Sequence, residues 1–219
     1  CTYADAYRLW GFEEHGRVVE ETLDYVLRDM THAEGGFYSA EDADSEGVEG
    51  KFYVWSFDEV MEVLGEVRGR RFCEVYNVTP SGNFEESNIL NLPQSIAQQA
   101  QLHGVDSSTL DHELAEGRQA LLERRSQRIR PGLDNKVLLG WNGLMITALT
   151  RGYRALGNRK YLHAARAATD FIIKHMRRED GSLWHTWHEG TPSIDAYLDD
   201  LSYLLDALVE LFQVDPQRR

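Results

Sequence analysis

Carboxylates are the first side chains to weigh for chemistry in this 219-residue chain, and two groups of them stand out. One is the loop Glu41-Asp42-Ala43-Asp44-Ser45-Glu46-Gly47-Val48-Glu49-Gly50, running into Lys51-Phe52-Tyr53-Val54-Trp55. Asp42, Asp44, Glu46 and Gly47 match positions 1, 3, 5 and 6 of a calcium-binding EF-hand loop. Position 12 is Tyr53 where a bidentate Glu belongs, and the following residues alternate like a strand. That mismatch argues against an EF-hand and leaves, beside some other divalent-ion role, two stronger readings. The loop is a solvated acidic segment, or its acids work beside aromatic rings on a sugar, with one carboxyl kept protonated by burial.

The second group is Asp199-Asp200, at the start of a helix that is otherwise apolar. Anions are favoured at the positive end of a helix dipole, so a structural role is sufficient. Two acids on an apolar helix must nonetheless find partners or line a cavity. Adjacent helical residues lie ~100° apart, so the pair cannot share one part. Asp200 falls close to the stripe of Tyr197, Leu201, Leu204 and Leu208, and Asp199 points further round. One is expected to be a site carboxylate and the other a structural partner.

Other chemistries find less support. In Trp184-His185-Thr186-Trp187-His188 the two histidines would face opposite sides of a strand, with no third ligand nearby, so a surface hairpin is expected rather than a metal site. Cys1 and Cys73 form no CxxC pair, and no Gly-rich phosphate loop or GxSxG elbow occurs. Neither a metal nor a cofactor is expected. The net charge of −13 argues against nucleic acid as a partner, and the basic run 118–130 reads as a solvated helix face. No apolar run approaches the ~20 residues of a membrane span. A cytoplasmic location is expected. The chain opens at Cys1 without a Met, as an internal fragment would.

The elements that would position these residues are mostly helical. With 42% hydrophobic residues a sizeable core can form. The periodicity predicts helices at 2–10, 13–30, 66–76, 94–103, 108–128, 141–156, 159–177 and 193–212, and a further one opened by a Ser56/Glu59 capping box with Trp55 and Val60 as a hydrophobic staple. Short strands are expected at 37–38, 51–55 and 89–92. In the helix from Trp141, positions 141, 144, 145, 148, 149 and 152 form the expected buried stripe, with Asn142 at the helix start. The last helix is apolar nearly all round and is expected to be buried among others. Residues 7–39 align with 153–185 at a constant offset of 146, with Tyr7/Tyr153, Gly11/Gly157, Asp24/Asp170, Met30/Met176 and Gly35/Gly181 identical. A repeated helical hairpin follows, the unit of solenoids and closed rings.

The segments 35–55, Asp134-Asn135-Lys136 through Trp141-Asn142-Gly143-Leu144-Met145, and Tyr197-Leu198-Asp199-Asp200 together resemble the spermatogenesis-associated, thioredoxin-domain-containing family. The resemblance implies a thioredoxin-like domain followed by an (α/α)6 toroid similar to N-acylglucosamine 2-epimerases and six-hairpin glycosidases. This chain, 1–219, would be a single helical domain from inside that toroid, without the thioredoxin-like part and the final hairpins. The fold class expected is therefore all-α: a partial toroid of antiparallel hairpins with short β segments in loops. Carbohydrate epimerisation or glycosidic cleavage is the implied activity. Asp199, Asp200, Asp42 and Asp44 are its candidate catalytic groups, and Trp141, Asn142, Lys136 and Trp55 its candidate substrate contacts. The catalytic histidines of the epimerases have no clear counterpart here. The rival expectation is a non-catalytic helical domain that supports a thioredoxin-like partner. In either case, self-association through open toroid flanks is expected.

Overall fold

In the computed structural model, which describes residues 1–216, the elements follow in this order. First come α1 (Thr2–Trp10), α2 (Glu13–Asp29), β1 (Ala40–Glu41), β2 (Asp44–Ser45), β3 (Val48–Glu49), α3 (Phe57–Leu64) and α4 (Glu66–Val75). Then come α5 (Ile96–His103), α6 (Ser107–Arg125), β4 (Leu133–Asp134), β5 (Val137–Leu138), α7 (Leu139–Leu156) and α8 (Arg159–His175). Last are β6 (Trp184–His188), β7 (Thr191–Asp195) and α9 (Leu198–Val214). The expected helical architecture, with strands confined to loops, is what the chain adopts. No helix among the described residues is long and apolar enough to cross a membrane. The chain divides into two compact units: Asp42–Gly132 forms the second, and the first joins Cys1–Glu41 to the chain from Leu133 onward.

In the first unit α7 is central, packing against α1, α2, α8 and α9. Ile146, Leu149, Tyr161, Ala165, Phe171, Met176 and Ala207 are buried in its core. The hairpin repeat is reproduced in detail. Helices α2 and α8 each have 17 residues, and each follows a left-handed glycine, Gly11 at φ 69° and Gly157 at φ 71°. The loops after them match bond for bond: Tyr38 N–H donates to Met30 O as Trp184 N–H does to Met176 O, and the bridge Thr31–Phe37 has its counterpart in Arg177–Leu183. The three-stranded antiparallel sheet has the order β5-β6-β7.

In the second unit α6 packs against α3, α4 and α5, burying Val60, Phe72, Leu110, Leu114 and Leu121. The loop after α4 has little regular structure and is tied by side chains instead. Asn88 donates to Trp55 O and Thr79 O and accepts from Thr79 N–H.

Five expectations need correction. Residues 51–54 form turns rather than a strand, and Trp55 pairs only through an isolated bridge to Asn88. Residues 37–38 and 89–92 likewise form no strand; Phe37 makes only the single bridge to Thr31, and the 77–91 backbone is braced by asparagine side chains. Glu59 does not complete a capping box. Its carboxylate bonds Arg128 at 2.7 Å, leaving Ser56 to accept the Glu59 N–H. Finally, the buried face of α7 is Leu139, Asn142, Gly143, Ile146, Leu149 and Thr150, while Trp141 and Leu144 are exposed. α9 is half open too: Leu198, Leu205 and Phe212 face solvent. Hydropathy marks what a helix can bury, whereas a close helix crossing selects small residues.

Gly143 makes that crossing. A Cβ there would stand 2.8 Å from the Tyr203 backbone carbon and 2.9 Å from Leu204 N, both on α9. Gly143→Ala must push α7 and α9 apart. It is expected to destabilise the protein by about 1–3 kcal/mol in a urea titration, and an unchanged midpoint would refute the crossing.

Candidate functional site

The third residue of α9, Asp200, is 2% exposed. Its Oδ1 accepts the Gly140 N–H at 2.9 Å, and its Oδ2 accepts the Tyr197 N–H at 2.9 Å. Oδ2 also lies 2.7 Å from Nδ1 of His185 on β6. Both Asp200 oxygens already accept backbone N–H groups, so the imidazole fits as the donor here, through Nδ1–H, and Nε2 is the atom left to exchange a proton with a ligand. Gly140 permits the approach, because a Cβ there would fall 2.8 Å from Asp200 Oδ1. Three elements therefore meet at one carboxylate: the start of α7, the start of α9 and the middle of a strand.

Two tyrosine rings lie beside this pair. Tyr197 meets the His185 ring edge-on, with centroids 5.0 Å apart. Tyr203 borders Gly140, and Trp141 follows Gly140 in the chain. Trp141, Tyr197 and Tyr203 are all exposed, unusual for rings of this size unless they face a partner. A half-buried imidazole fixed by a buried acid and rimmed by open aromatic faces is suited to proton transfer on a bound organic ring.

The other anticipated residues fall as follows. Asp199 is exposed in the first turn of α9. Asn142 is 1% exposed and its amide is engaged within the fold: Oδ1 accepts the Phe37 N–H at 2.8 Å, and Nδ2 donates to Phe37 O and Leu138 O. Lys136 pairs with Asp134 at 3.0 Å. Asp42, Asp44 and Trp55 belong to the second unit. Asp42 and Asp44 are exposed there, and Trp55 is buried beneath the Arg128 guanidinium, 4.1 Å from its ring centroid. Among the described residues no group of three or more His, Cys, Asp or Glu side chains is placed to hold a metal ion.

His185 is the residue that sequence reading missed, assigned to an exposed hairpin. The hairpin exists, as β6 paired with β7, but Thr186 and Trp187 in it are buried. Side chains alternate along a strand, so His185 shares its face with buried Trp187. That was the available signal. Its partner on a helix fifteen residues later could not be read from spacing.

The fold defines a mostly helical protein built from repeated hairpins around a small sheet. The chain is similar along nearly its whole length to spermatogenesis-associated protein 20. It is 29% identical to the human protein over 249 aligned positions, covering 98% of this chain and 32% of that one. The mouse protein gives the same identity and coverage, and an uncharacterised Caenorhabditis elegans protein is 29% identical, covering 97% of this chain and 33% of that one. The chain thus spans about a third of the length of the curated relatives it matches. No protein-family model matches it. Among solved structures it is similar to the cellobiose 2-epimerase of Bacillus thermoamylovorans, with a TM-score of 0.38 and 13% identity over 94% of this chain and 51% of that one. It is similar also to a sugar epimerase from a ruminal bacterium, with a TM-score of 0.38 and 15% identity over 91% and 51%.

Removing the Asp200 carboxylate strands the Gly140 and Tyr197 N–H groups in a buried place. Asp200→Ala is expected to cost about 3 kcal/mol of stability, whereas Asp199→Ala should stay within about 1 kcal/mol. Equal losses in thermal melts of the two variants would contradict this division.

Proposed function

We propose that the first unit carries a proton-transfer site for a carbohydrate, with His185 Nε2 as the exchanging atom and Asp200 as its orienting partner. The carrying observation is the 2.7 Å contact from His185 Nδ1 to a carboxylate that is 2% exposed. Asp200 fixes the tautomer and the ring orientation, leaving Nε2 to exchange the proton. Trp141, Tyr197 and Tyr203 supply flat apolar faces for the C–H face of a sugar ring. An imidazole matches reversible proton abstraction beside a carbonyl, as in epimerisation, better than glycosidic cleavage, which calls for two carboxyl groups flanking one bond. The hairpin repeat supports reading the chain as part of a larger (α/α)6 ring. Burial and the neighbouring Glu74 push the Cys73 thiol up to about 11, so it stays an inert thiol, in keeping with a cytoplasmic place of action.

The test is deuterium incorporation from heavy water into a panel of reducing sugars, followed by proton NMR. His185→Asn is expected to slow exchange by about 10²–10⁴-fold with little change in KM. Absence of exchange by the wild type with every sugar, or a His185→Asn variant as fast as the wild type, would sink the reading.

A second reading, a helical support or interaction domain for a thioredoxin-like partner, is favoured by α9. Leu198, Leu201, Leu205, Leu208 and Phe212 are all exposed at alternating spacings of three and four, a seam that fits another helix. Such a seam also favours association of the chain with itself. Leu205, 64% exposed, is expected to accept Leu205→Lys with stability changed by less than about 0.5 kcal/mol. Sedimentation velocity should show less association at the same time. A large drop in melting temperature would mean the seam is already covered.

A further inference from the structure

The second unit contains an open cleft of about 490 Å³, within the range of small-molecule sites and unrelated to the His185–Asp200 pair. Its walls carry both signs of charge, already paired. Arg128 Nη1 donates to Phe52 O at 2.7 Å and to Val54 O at 2.8 Å, and Nη2 donates to Glu59 at 2.7 Å. Lys51 pairs with Glu46 at 2.7 Å. An incoming anion meets two carboxylates, an incoming cation meets an ammonium and a guanidinium, and neither gains a net field. Hydrogen-bonding capacity is left over on uncharged groups. The Ser56 hydroxyl accepts the Glu59 N–H and keeps its own O–H to donate. The Ser87 hydroxyl and the Gln127 amide line the same cleft and make no side-chain hydrogen bond among the described residues. Phe52, Trp55 and Ile129 supply the apolar part of the wall.

From this combination we infer that the cleft binds a neutral, polyhydroxylated small molecule of one or two rings. Paired charges reject ionic ligands, the hydroxyls and amide reward a ligand dense in O–H groups, and the exposed Ile129 side chain offers apolar contact to its C–H groups. The cleft holds no histidine and no unpaired acid, so it captures ligand without transforming it.

Isothermal titration of the whole protein with methyl glucoside, N-acetylglucosamine and cellobiose tests this, with glucose 6-phosphate and glucosamine as charged controls. Neutral sugars should bind saturably and the charged analogues more weakly. Gln127→Ala and Ser87→Ala should each raise Kd by about three- to tenfold, and Ser87→Phe should abolish binding by filling the cleft. Gln127 is an exposed turn residue, so that variant stays informative should Ser87→Phe fail to fold, which circular dichroism would reveal. His185→Asn should leave this binding unchanged, separating it from the proton-transfer reading. The inference is overturned if no neutral sugar binds, if a charged analogue binds more tightly, or if Gln127→Ala and Ser87→Ala both leave Kd unchanged.

Discussion

A carboxylate out of water is the constraint on which the first unit depends. Stripping Asp200 of solvent costs several kcal/mol. Three donors answer it, from Gly140, Tyr197 and His185, and hydrogen bonds to a charged group are worth about 1.5–3 kcal/mol each. The sums are of similar size, so the arrangement holds only while all three donors are present. That need fixes α7, α9 and β6 relative to one another more sharply than apolar packing does, because a slipped methyl group loses little and a slipped donor leaves a charge uncompensated. Gly140 follows from the same demand, since the carboxylate reaches the α7 backbone only where no side chain intervenes, and Gly143 lets the α9 backbone come as close one turn on.

The helical skeleton was legible because its signals are local. The glycines at 11 and 157 end helices by adopting a conformation other residues avoid, and the 146-residue offset preserved enough of them to expose the repeated hairpin. The strand expected at 51–55 failed for a reason that is not local. Its carbonyls at Phe52 and Val54 are bound by Arg128, some seventy residues later, which holds the segment in turns. The misjudged face of α7 has a related cause. Asn142 and Thr150 are polar and so lie outside an apolar stripe, yet each finds a backbone partner within the fold, which makes their burial acceptable.

Site chemistry was legible by residue type and hidden by partnership. Asp199-Asp200 could be singled out as acids on an apolar helix, and helical geometry separated their directions. What neither pattern nor spacing supplied was the histidine that gives Asp200 a chemical role. A bulk view of aromatics also conceals a distinction the structure draws. Trp55 is a buried platform for an arginine, whereas Trp141 is open, and only the second can meet a ligand face to face.

The second unit is an insertion. Its first residue, Asp42, donates its N–H to Gly132 O at 2.7 Å, and next to that junction β1 and β4 of the first unit pair as Ala40–Asp134 and Glu41–Leu133. During synthesis on the ribosome, residues 42–132 emerge complete while most of the first unit's core is still unmade. α1 and α2 come out before it, yet Gly152 of α7, against which Val19 and Leu23 pack, follows more than a hundred residues later. The inserted segment can therefore fold first, and by drawing its own ends together it shortens the gap that the early hairpin must close. Between those two moments the α1–α2 hairpin still lacks its α7 partner, so the order of synthesis sets the order in which this core can close.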